Sequence, residues 1–146
     1  YAPSRITRLI NMVTPVYLIS AAVTLVLAQR LARKTCIECR EVDPDATPKA
    51  LQDFGFTVEQ ASRAKVQRGK GCPKCKDTGY KGRMGIYEIL VVSKPIKEAI
   101  LRKATTPELK KIATDEGFRT MQDMGRELIL TGDLNFREYD RVLSGE

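Results

Sequence analysis

Four cysteines in two pairs are the residues of this chain whose types and spacing can do chemistry. Cys36 and Cys39 form one C-x-x-C pair, and Cys72 and Cys75 form a second pair after 32 intervening residues. A two-residue spacing lets a tight turn aim both sulfurs at one point, and two such turns supply the four thiolates of a tetrahedral zinc site. The sequence therefore predicts that Cys36, Cys39, Cys72 and Cys75 are the ligands of one Zn²⁺ ion.

Three other uses of the four thiols stay open at this point. Two disulfides would require an oxidising compartment, a thiol–disulfide redox motif needs only one C-x-x-C pair, and an iron–sulfur cluster also takes four thiolates. The Pro73-Lys74 dipeptide inside the second pair is more typical of a zinc knuckle. Because four thiolates leave no open position for water or substrate, the predicted zinc is structural and not catalytic.

The composition excludes several classes of enzyme. The 146 residues include no histidine, which rules out a His-based triad, a His general base and every mixed Cys/His zinc site. A phosphate-binding loop needs G-x-x-x-x-G-K-[ST], but Gly69-Lys70 is followed by another glycine. We therefore expect no catalytic residues and no cofactor-binding residues besides the metal ligands.

Positive charge is concentrated around the second cysteine pair. The chain carries a net charge of +7, and residues 60–83 hold eight basic side chains against one acidic. Such a run is either a solvated face or a contact for an acidic partner. It also supports an alternative function, a basic zinc-ribbon module that binds nucleic acid. The exposed basic residues considered are Lys65, Arg68, Lys70, Lys81 and Arg83.

Turn signals and hydrophobic periodicity predict an α+β chain around these cysteines. We expect a first helix over Arg5–Met12 capped by Ser4, with an apolar stripe that extends to Val13, and a second helix near Val16–Ala22. Residues 23–33 are apolar on both faces and turn basic at their end, so we expect a buried strand that emerges at a surface. A helix would also fit, because short apolar runs are ambiguous. The longest apolar run, over residues 16–28, is shorter than the roughly 20 residues that a spanning helix needs.

The rest of the chain reads as helical apart from one strand. Short helices are predicted over residues 48–54 and 57–64, and a strand over residues 84–92. Helices then begin at caps formed by Ser93, Thr105 and Asn135, and another covers residues 121–130. The region between the two cysteine pairs is turn-rich and resembles an insertion.

Two stretches of the chain carry a recognisable family pattern. The first reads A-Q-R-L-A-R-K-T-C-I-E-C over residues 28–39, and the second reads G-C-P-K-C-K-D-T-G-Y-K-G-R-M-G-I-Y-E-I-L over residues 71–90. Together they resemble the C-terminal region of the type II secretion and type IV pilus-assembly ATPases. The four cysteines match that family's metal ligands. Arg30 and Arg33 match its basic strand end, and we assign them no nucleotide role.

The resemblance implies a function for a longer parent protein. Members of the family are bacterial cytoplasmic homohexamers, peripheral at the inner membrane, that hydrolyse ATP with Mg²⁺ and drive pilus or pseudopilus assembly through inner-membrane platform proteins. Because the chain begins at Tyr1 without an initiator Met, we expect an excised fragment that lacks the Walker motifs and is not itself an enzyme. The fragment is expected to contact other subunits or platform proteins, and no nucleic acid.

The resemblance also implies a division of the chain. Residues 1–35 would be the C-terminal end of a RecA-like α/β motor core, residues 36–92 a tetracysteine zinc-binding subdomain, and residues 93–146 a C-terminal helical subdomain. If zinc organises the middle segment, we expect chelation to unfold residues 36–92 while the last third keeps its helices.

Overall fold

The structure, a computed structural model, describes residues 1–12 and 15–144. The helices are α1 (Ala2–Asn11), α2 (Val16–Ala22), α3 (Pro48–Asp53), α4 (Val58–Arg63), α5 (Lys94–Leu101), α6 (Thr106–Asp115), α7 (Met121–Thr131) and α8 (Phe136–Leu143). The strands are β1 (Leu25–Thr35), β2 (Arg40–Val42), β3 (Gln67–Gly69) and β4 (Tyr80–Val91), and β1 pairs with β4 while β2 pairs with β3. The predicted α+β class is confirmed.

One compact unit, here called unit 1, consists of residues 1–29 and 87–121. In this unit α2 packs against α5, and both α1 and α5 pack against α6. The fully buried part of its core is aliphatic, and Phe118 packs against it partly buried. The buried cluster contains Ala2, Ile6, Ile19, Leu90, Val92, Ile96, Ala99, Ile100, Ala104, Leu109 and Ala113.

The helices of unit 1 begin at local signals in the sequence. Ser93 Oγ accepts the Ile96 N–H at the start of α5, and Thr105 forms a reciprocal capping box with Glu108 at the start of α6. The prediction that Ser4 caps the first helix is wrong, because Tyr1 is the N-cap and Ser4 lies inside the first turn. The proline in the first turn of α1 is tolerated, because the N–H group that it lacks would have no partner within the helix. Val13 lies outside the described residues.

A buried carboxylate on β4 accepts hydrogen bonds from the first residues of two helices, and both of these residues belong to unit 1. Glu88 is 2% exposed, and its Oε1 accepts the Met121 N–H at 3.0 Å while its Oε2 accepts the Ala2 N–H. These donors belong to the first turns of α7 and α1, whose N–H groups have no partner within their own helices. An anionic acceptor at a helix N-terminus is also favoured by the helix dipole.

The expectation that the first strand is buried on both faces is wrong. Ala28 is buried, but the side chains of Leu25 and Leu27 are about half exposed, at 49% and 50%. Along β4, Ile89 and Val91 are exposed while Leu90 is buried. Residues 25–28 and 89–91 are apolar at successive positions, so their pattern does not distinguish the covered face from the open one.

The second compact unit, here called unit 2, consists of residues 30–86 and 122–146. Its core mixes aliphatic and aromatic side chains. The Phe54 ring lies edge-on to the rings of Phe136 and Tyr139, with centroids 4.9 and 4.8 Å apart. A Cβ on Gly125 of α7 would lie 2.8 Å from Tyr139 Cε2, so a larger residue there would disturb the packing against α8. The largest buried residues include Leu51, Phe56, Val66, Ile86, Ile129, Leu134 and Leu143.

Candidate metal centre

The four cysteine sulfurs meet in unit 2. Their Sγ atoms all lie within 4.8 Å of one another. The Cys36–Cys72 and Cys39–Cys75 Sγ distances are both 3.8 Å, and the Cys72–Cys75 distance is 3.7 Å. A tetrahedron with Zn–S bonds of about 2.3 Å has sulfur–sulfur edges of about 3.8 Å. The cluster can therefore hold a tetrahedral metal ion, and its sulfurs are too far apart for disulfide bonds of about 2.05 Å.

Short pieces of secondary structure carry the two cysteine pairs to this point. Cys36 directly follows β1, and Cys39 directly precedes β2. The antiparallel pairing of β2 with β3 places Arg40 opposite Gly69, so the chain arrives at the second pair beside the first. A 3₁₀ turn over Pro73–Cys75 then brings Cys72 and Cys75 together.

Backbone N–H groups are directed at the sulfurs. Gly71 donates to Cys39 Sγ at 3.3 Å, while Cys72 and Gly79 donate to Cys75 Sγ at 3.3 and 3.2 Å. Burial raises the pKa of Cys39 to about 12. Burial also acts to raise the pKa of Cys75, but the N–H groups of Cys72 and Gly79 outweigh it and lower that pKa to about 6. Of Cys39 and Cys75, it is therefore Cys75 that can act as a thiolate near neutral pH.

Glycines make the turn around the second pair possible. A Cβ on Gly79 would lie 2.6 Å from the Gly69 carbonyl oxygen, and a Cβ on Gly69 would collide with the Gly79 carbonyl. Gly79 also has a φ of 78°, in the left-handed region that favours glycine. These two contacts show where the backbone leaves no room for a side chain.

A buried carboxylate lies in a second polar cluster of unit 2. Glu138 of α8 is 0% exposed, and it accepts the Arg33 backbone N–H at 2.9 Å and the Arg33 Nε and Nη2 groups at 3.1 and 2.8 Å. Arg141 Nε also donates to it at 3.0 Å, and Arg141 Nη2 forms a further bond. Burial acts to raise the pKa of Glu138, but the two guanidinium groups outweigh it and lower the pKa to about 2.

Sequence reasoning missed this role of Glu138. The spacing from Asn135 suggested a local helix start, and Asn135 Oδ1 does accept the Glu138 N–H at 2.8 Å. The side chain, however, is paired with Arg33, a residue 105 positions earlier. Arg30, the other basic residue of the strand end, donates to the Val142 carbonyl at 2.8 Å. No local pattern announces either long-range contact.

Side chains next to the cysteines also contact the segment that precedes α8. Arg40, one residue after Cys39, forms an ion pair with Asp133 at 2.9 Å. The Tyr80 hydroxyl is hydrogen-bonded to the Asn135 side chain, and the Arg33 guanidinium lies 4.1 Å from the centroid of the Tyr80 ring. The order of the sulfur cluster and the position of α8 are thus linked by polar contacts within unit 2.

The basic residues singled out from the sequence flank the second cysteine pair along the chain, and the Lys70 backbone N–H donates to the Cys39 carbonyl at 3.1 Å. Arg68 pairs with Glu41 at 3.0 Å across the β2–β3 hairpin. The other four, Lys65, Lys70, Lys81 and Arg83, are exposed. Arg68 is therefore partly neutralised, while the side chains of the other four are open to solvent.

Residues 1–141 match the family described as Type II/IV secretion system protein. The chain belongs to this family. The resemblance carried by residues 28–39 and 71–90 is confirmed, and the chain is a member of the secretion and pilus-assembly ATPase family at the level of this domain.

Curated relatives include pilus-assembly and secretion proteins. The chain is 39% identical over 138 residues to the type IV pilus assembly ATPase PilB of Thermus thermophilus, covering 94% of this chain and 15% of that protein. It is 33% identical over 141 residues to PilB of Pseudomonas aeruginosa, covering 97% and 25%. It is 30% identical over 143 residues to the putative type II secretion system protein E of Escherichia coli, covering 98% and 28%. The chain thus spans between 15% and 28% of the length of these relatives.

A search of the described residues for membrane-spanning helices gives a negative result. Within residues 1–12 and 15–144, no helix combines the length and the apolar character needed to cross a bilayer.

Proposed function

We propose that this chain is the metal-stabilised C-terminal part of a hexameric ATPase that powers type II secretion or type IV pilus assembly. The observation that carries the proposal is the tetrahedral spacing of four cysteine sulfurs within a chain that matches the family over residues 1–141. ATP and Mg²⁺ act in the parent protein, because no Walker motif occurs in these 146 residues. The parent is cytoplasmic and peripheral at the inner membrane.

The role proposed for the metal is structural. Cys36, Cys39, Cys72 and Cys75 would hold Zn²⁺, and four thiolates leave no coordination position for a substrate. When bound, the ion supplies folding free energy by joining two turns that are distant in sequence. The residues of the chain prepare for it by donating N–H groups to Cys39 and Cys75 and by keeping glycines where the turns touch.

Elemental analysis of the purified chain tests the metal. We expect one zinc per chain after expression without added metal, and a loss of zinc in Cys36→Ser. Ile37→Ser is the matched control, because Ile37 lies between the first two ligands and its side chain is exposed. A folded, freshly reduced chain without any metal would contradict the proposal. If the chain instead contains iron and absorbs visible light, the site holds an iron–sulfur cluster and not zinc.

The second part of the proposal is docking to other subunits or to inner-membrane platform proteins. It is supported by the exposed basic surface around the second cysteine pair, which includes Lys70, Lys74, Lys76 and Lys81. Such a surface fits an acidic face of a protein partner. Lys74→Glu combined with Lys81→Glu in the parent protein should reduce capture of the platform protein. The control variant is Lys110→Glu with Lys111→Glu, which reverses two exposed charges on α6.

Two results would contradict the docking proposal. The first is unchanged platform binding and unchanged ATPase activity in the Lys74→Glu/Lys81→Glu parent. The second is tight, steeply salt-dependent binding of double-stranded DNA by the chain, which would favour the nucleic-acid module instead. We expect no DNA binding even at low salt.

The proposed division of labour follows the chain from end to end. Residues 1–35 would complete the RecA-like motor core, residues 36–92 would form the zinc-binding subdomain, and residues 93–146 would form the helical subdomain. Limited proteolysis of the parent protein, followed by mass spectrometry of the fragments, tests these boundaries. Cleavage confined to positions near 35 and 92 is the expected result, and early cleavage inside residues 48–64 alone would contradict it.

A further inference from the structure

Three arginines from three different elements line one concavity of unit 2. Arg33 of β1, Arg83 of β4 and Arg141 of α8 surround a space of about 400 Å³, together with Leu31 and Ala32. Among the residues that the structure describes, those that line this space include no carboxylate. Concave sites of this size are large enough for a small phosphorylated molecule.

Two of the three guanidinium groups are held in place by the same buried carboxylate. Arg33 and Arg141 each use Nε and Nη2 to donate to Glu138. The five N–H groups that reach Glu138 use all of the acceptor capacity of a carboxylate, which has about four lone-pair sites. Each guanidinium therefore keeps its Nη1 donors available for another acceptor. The side chains of Arg33 and Arg141 remain 43% and 54% exposed, so these donors are accessible.

The orientation of Arg33 is restrained from a second side. Its guanidinium lies over the Tyr80 ring at 4.1 Å from the centroid. A fixed planar guanidinium loses little conformational entropy when it binds a phosphate in a bidentate manner. A smaller adjoining space of about 250 Å³ is lined by Arg33 and Arg83 with Thr78, Tyr80 and Gly82, and it extends the site beyond the volume of one phosphate.

The net charge of the three arginines and Glu138 also favours the binding of an anion. Three arginines and the ionised Glu138 leave a net charge of +2 in one concavity. Among the described residues, the Arg83 side chain has no hydrogen-bond or ion-pair partner, and it is exposed. Arginine forks match phosphate oxygens in geometry and in charge.

We propose that Arg33, Arg83 and Arg141 form a binding site for a phosphate group. Arg33 and Arg141 would be the pre-oriented donors, and Arg83 would complete the site when the ligand arrives. The phosphate can belong to a soluble small molecule or to a lipid headgroup, and the chemistry recognised is the same. The site uses none of the four thiols, so its failure would leave the metal proposal intact.

Inorganic pyrophosphate is the soluble probe for this site. We expect saturable amide shifts at Leu31, Arg33 and Arg83 in NMR titrations of the 146-residue chain at about 150 mM salt, where weak long-range attraction is screened. Arg83→Gln should weaken binding about tenfold or more, because it removes charge-assisted hydrogen bonds. Arg102→Gln is the matched control, since it removes one exposed positive charge in unit 1, and it should change the affinity less than twofold.

The second arm of the experiment distinguishes the source of the phosphate. Co-sedimentation with vesicles of phosphatidylcholine containing phosphatidylglycerol is compared with pure phosphatidylcholine vesicles for both variants. Arg83-dependent binding to the anionic vesicles, but not to pyrophosphate, supports the site and assigns the phosphate to a lipid. The proposal is overturned if neither probe binds, or if Arg83→Gln and Arg102→Gln weaken binding equally, which would indicate general charge attraction. Unchanged amide dispersion in Arg83→Gln excludes misfolding as the cause.

Discussion

Units 1 and 2 achieve stability by different physical means. Unit 1 buries a continuous aliphatic cluster beneath helices whose caps are local in sequence. Unit 2 depends on sulfur atoms, close glycine contacts and the buried Glu138, all brought together from distant parts of the chain. The first kind of stability comes from removing apolar surface from water, whereas the second would depend on the ionisation of Glu138 and on the proposed metal ion. The two units should therefore respond to different perturbations.

Metal removal should produce the largest difference between the units. Chelation is expected to collapse the amide dispersion of residues 36–86, the part of unit 2 that holds the cysteines, while α7 and α8 keep their helices. Structural zinc contributes about 10–16 kcal/mol of apparent binding free energy in small domains. Amides of Ile96, Ala99 and Ile100 in unit 1 should keep their shifts. Heteronuclear NMR spectra before and after chelation make the measurement, and amides of residues 87–92 decide whether unfolding stops at the unit boundary. Unchanged spectra in unit 2 would contradict the proposed role of the metal.

The pH dependence of metal affinity follows from the same cluster. Cys75 has a pKa of about 6 and is mostly ionised at pH 7, whereas Cys39, with a pKa of about 12, must lose a proton on binding. Because the metal displaces that proton, affinity should rise as the pH is raised above 7 and fall in acid. Competition with a chromophoric chelator between pH 6 and pH 8 measures the trend. A pH-independent affinity over this range would mean that no proton is displaced.

A cavity in the aliphatic core should destabilise unit 1 and leave the zinc of unit 2 in place. Ile100→Ala truncates a side chain that is 0% exposed, and we expect unit 1 to lose about 3 kcal/mol of unfolding free energy. Leu101→Ala is the matched control, because the Leu101 side chain, next to Ile100 in the sequence, is 50% exposed. Its truncation should cost much less unfolding free energy. Residue-resolved hydrogen exchange in urea gives the stability of unit 1 separately. Loss of zinc from Ile100→Ala would show that the two kinds of stability are not independent.

Much of the fold of each unit is readable in local sequence signals. The helix caps formed by Ser93, Thr105 and Asn135 occur where the sequence predicts them. A cap depends on residues three apart, so its signal lies within one turn of helix. The cysteine spacing likewise predicts that the four sulfurs meet, because each pair is a local turn.

The long-range features could not be predicted in the same way. The pairing of Glu138 with Arg33 joins residues 105 positions apart, and either side chain reads from the sequence as an ordinary exposed charge. The exposure of Leu25 and Leu27 is also invisible in the pattern, because β1 is apolar at successive positions. In both cases the decisive information is which distant element lies opposite the strand.

Removing the buried carboxylate should have an intermediate effect. Glu138→Gln is expected to destabilise unit 2 by about 2 kcal/mol, a value reduced from that of a fully buried pair because Arg33 and Arg141 are partly exposed. The pKa of Glu138 is lowered from its usual 4.5 to about 2, so its contribution is complete above pH 4.5 and is lost as the pH falls towards 2.

Urea unfolding of the unsubstituted chain and of its Glu138→Gln variant measures this contribution. The difference between them should be the same at pH 7 and pH 5 and should shrink below pH 4.5. Glu59→Gln is the control, since Glu59 forms an exposed pair with Arg63 and should change stability by less than about 0.5 kcal/mol. A Glu138→Gln variant that is as stable as the unsubstituted chain at pH 7 would contradict the assigned role of the ion pair.

The smallest expected effect comes from a feature that both units share. Thr57 in unit 2 and Thr105 in unit 1 form the same reciprocal capping box, so Thr57→Ala and Thr105→Ala remove equivalent hydrogen bonds. Each should cost about 1 kcal/mol. Because α6 anchors Leu109 and Ala113 in the aliphatic core, Thr105→Ala should lower the unfolding free energy of all of unit 1. The six-residue helix α4 carries no metal ligand, so Thr57→Ala should increase local hydrogen exchange over Val58–Arg63 without changing zinc affinity. A fall in zinc affinity in Thr57→Ala would show that the turn-rich segment between the cysteine pairs helps to organise the metal site.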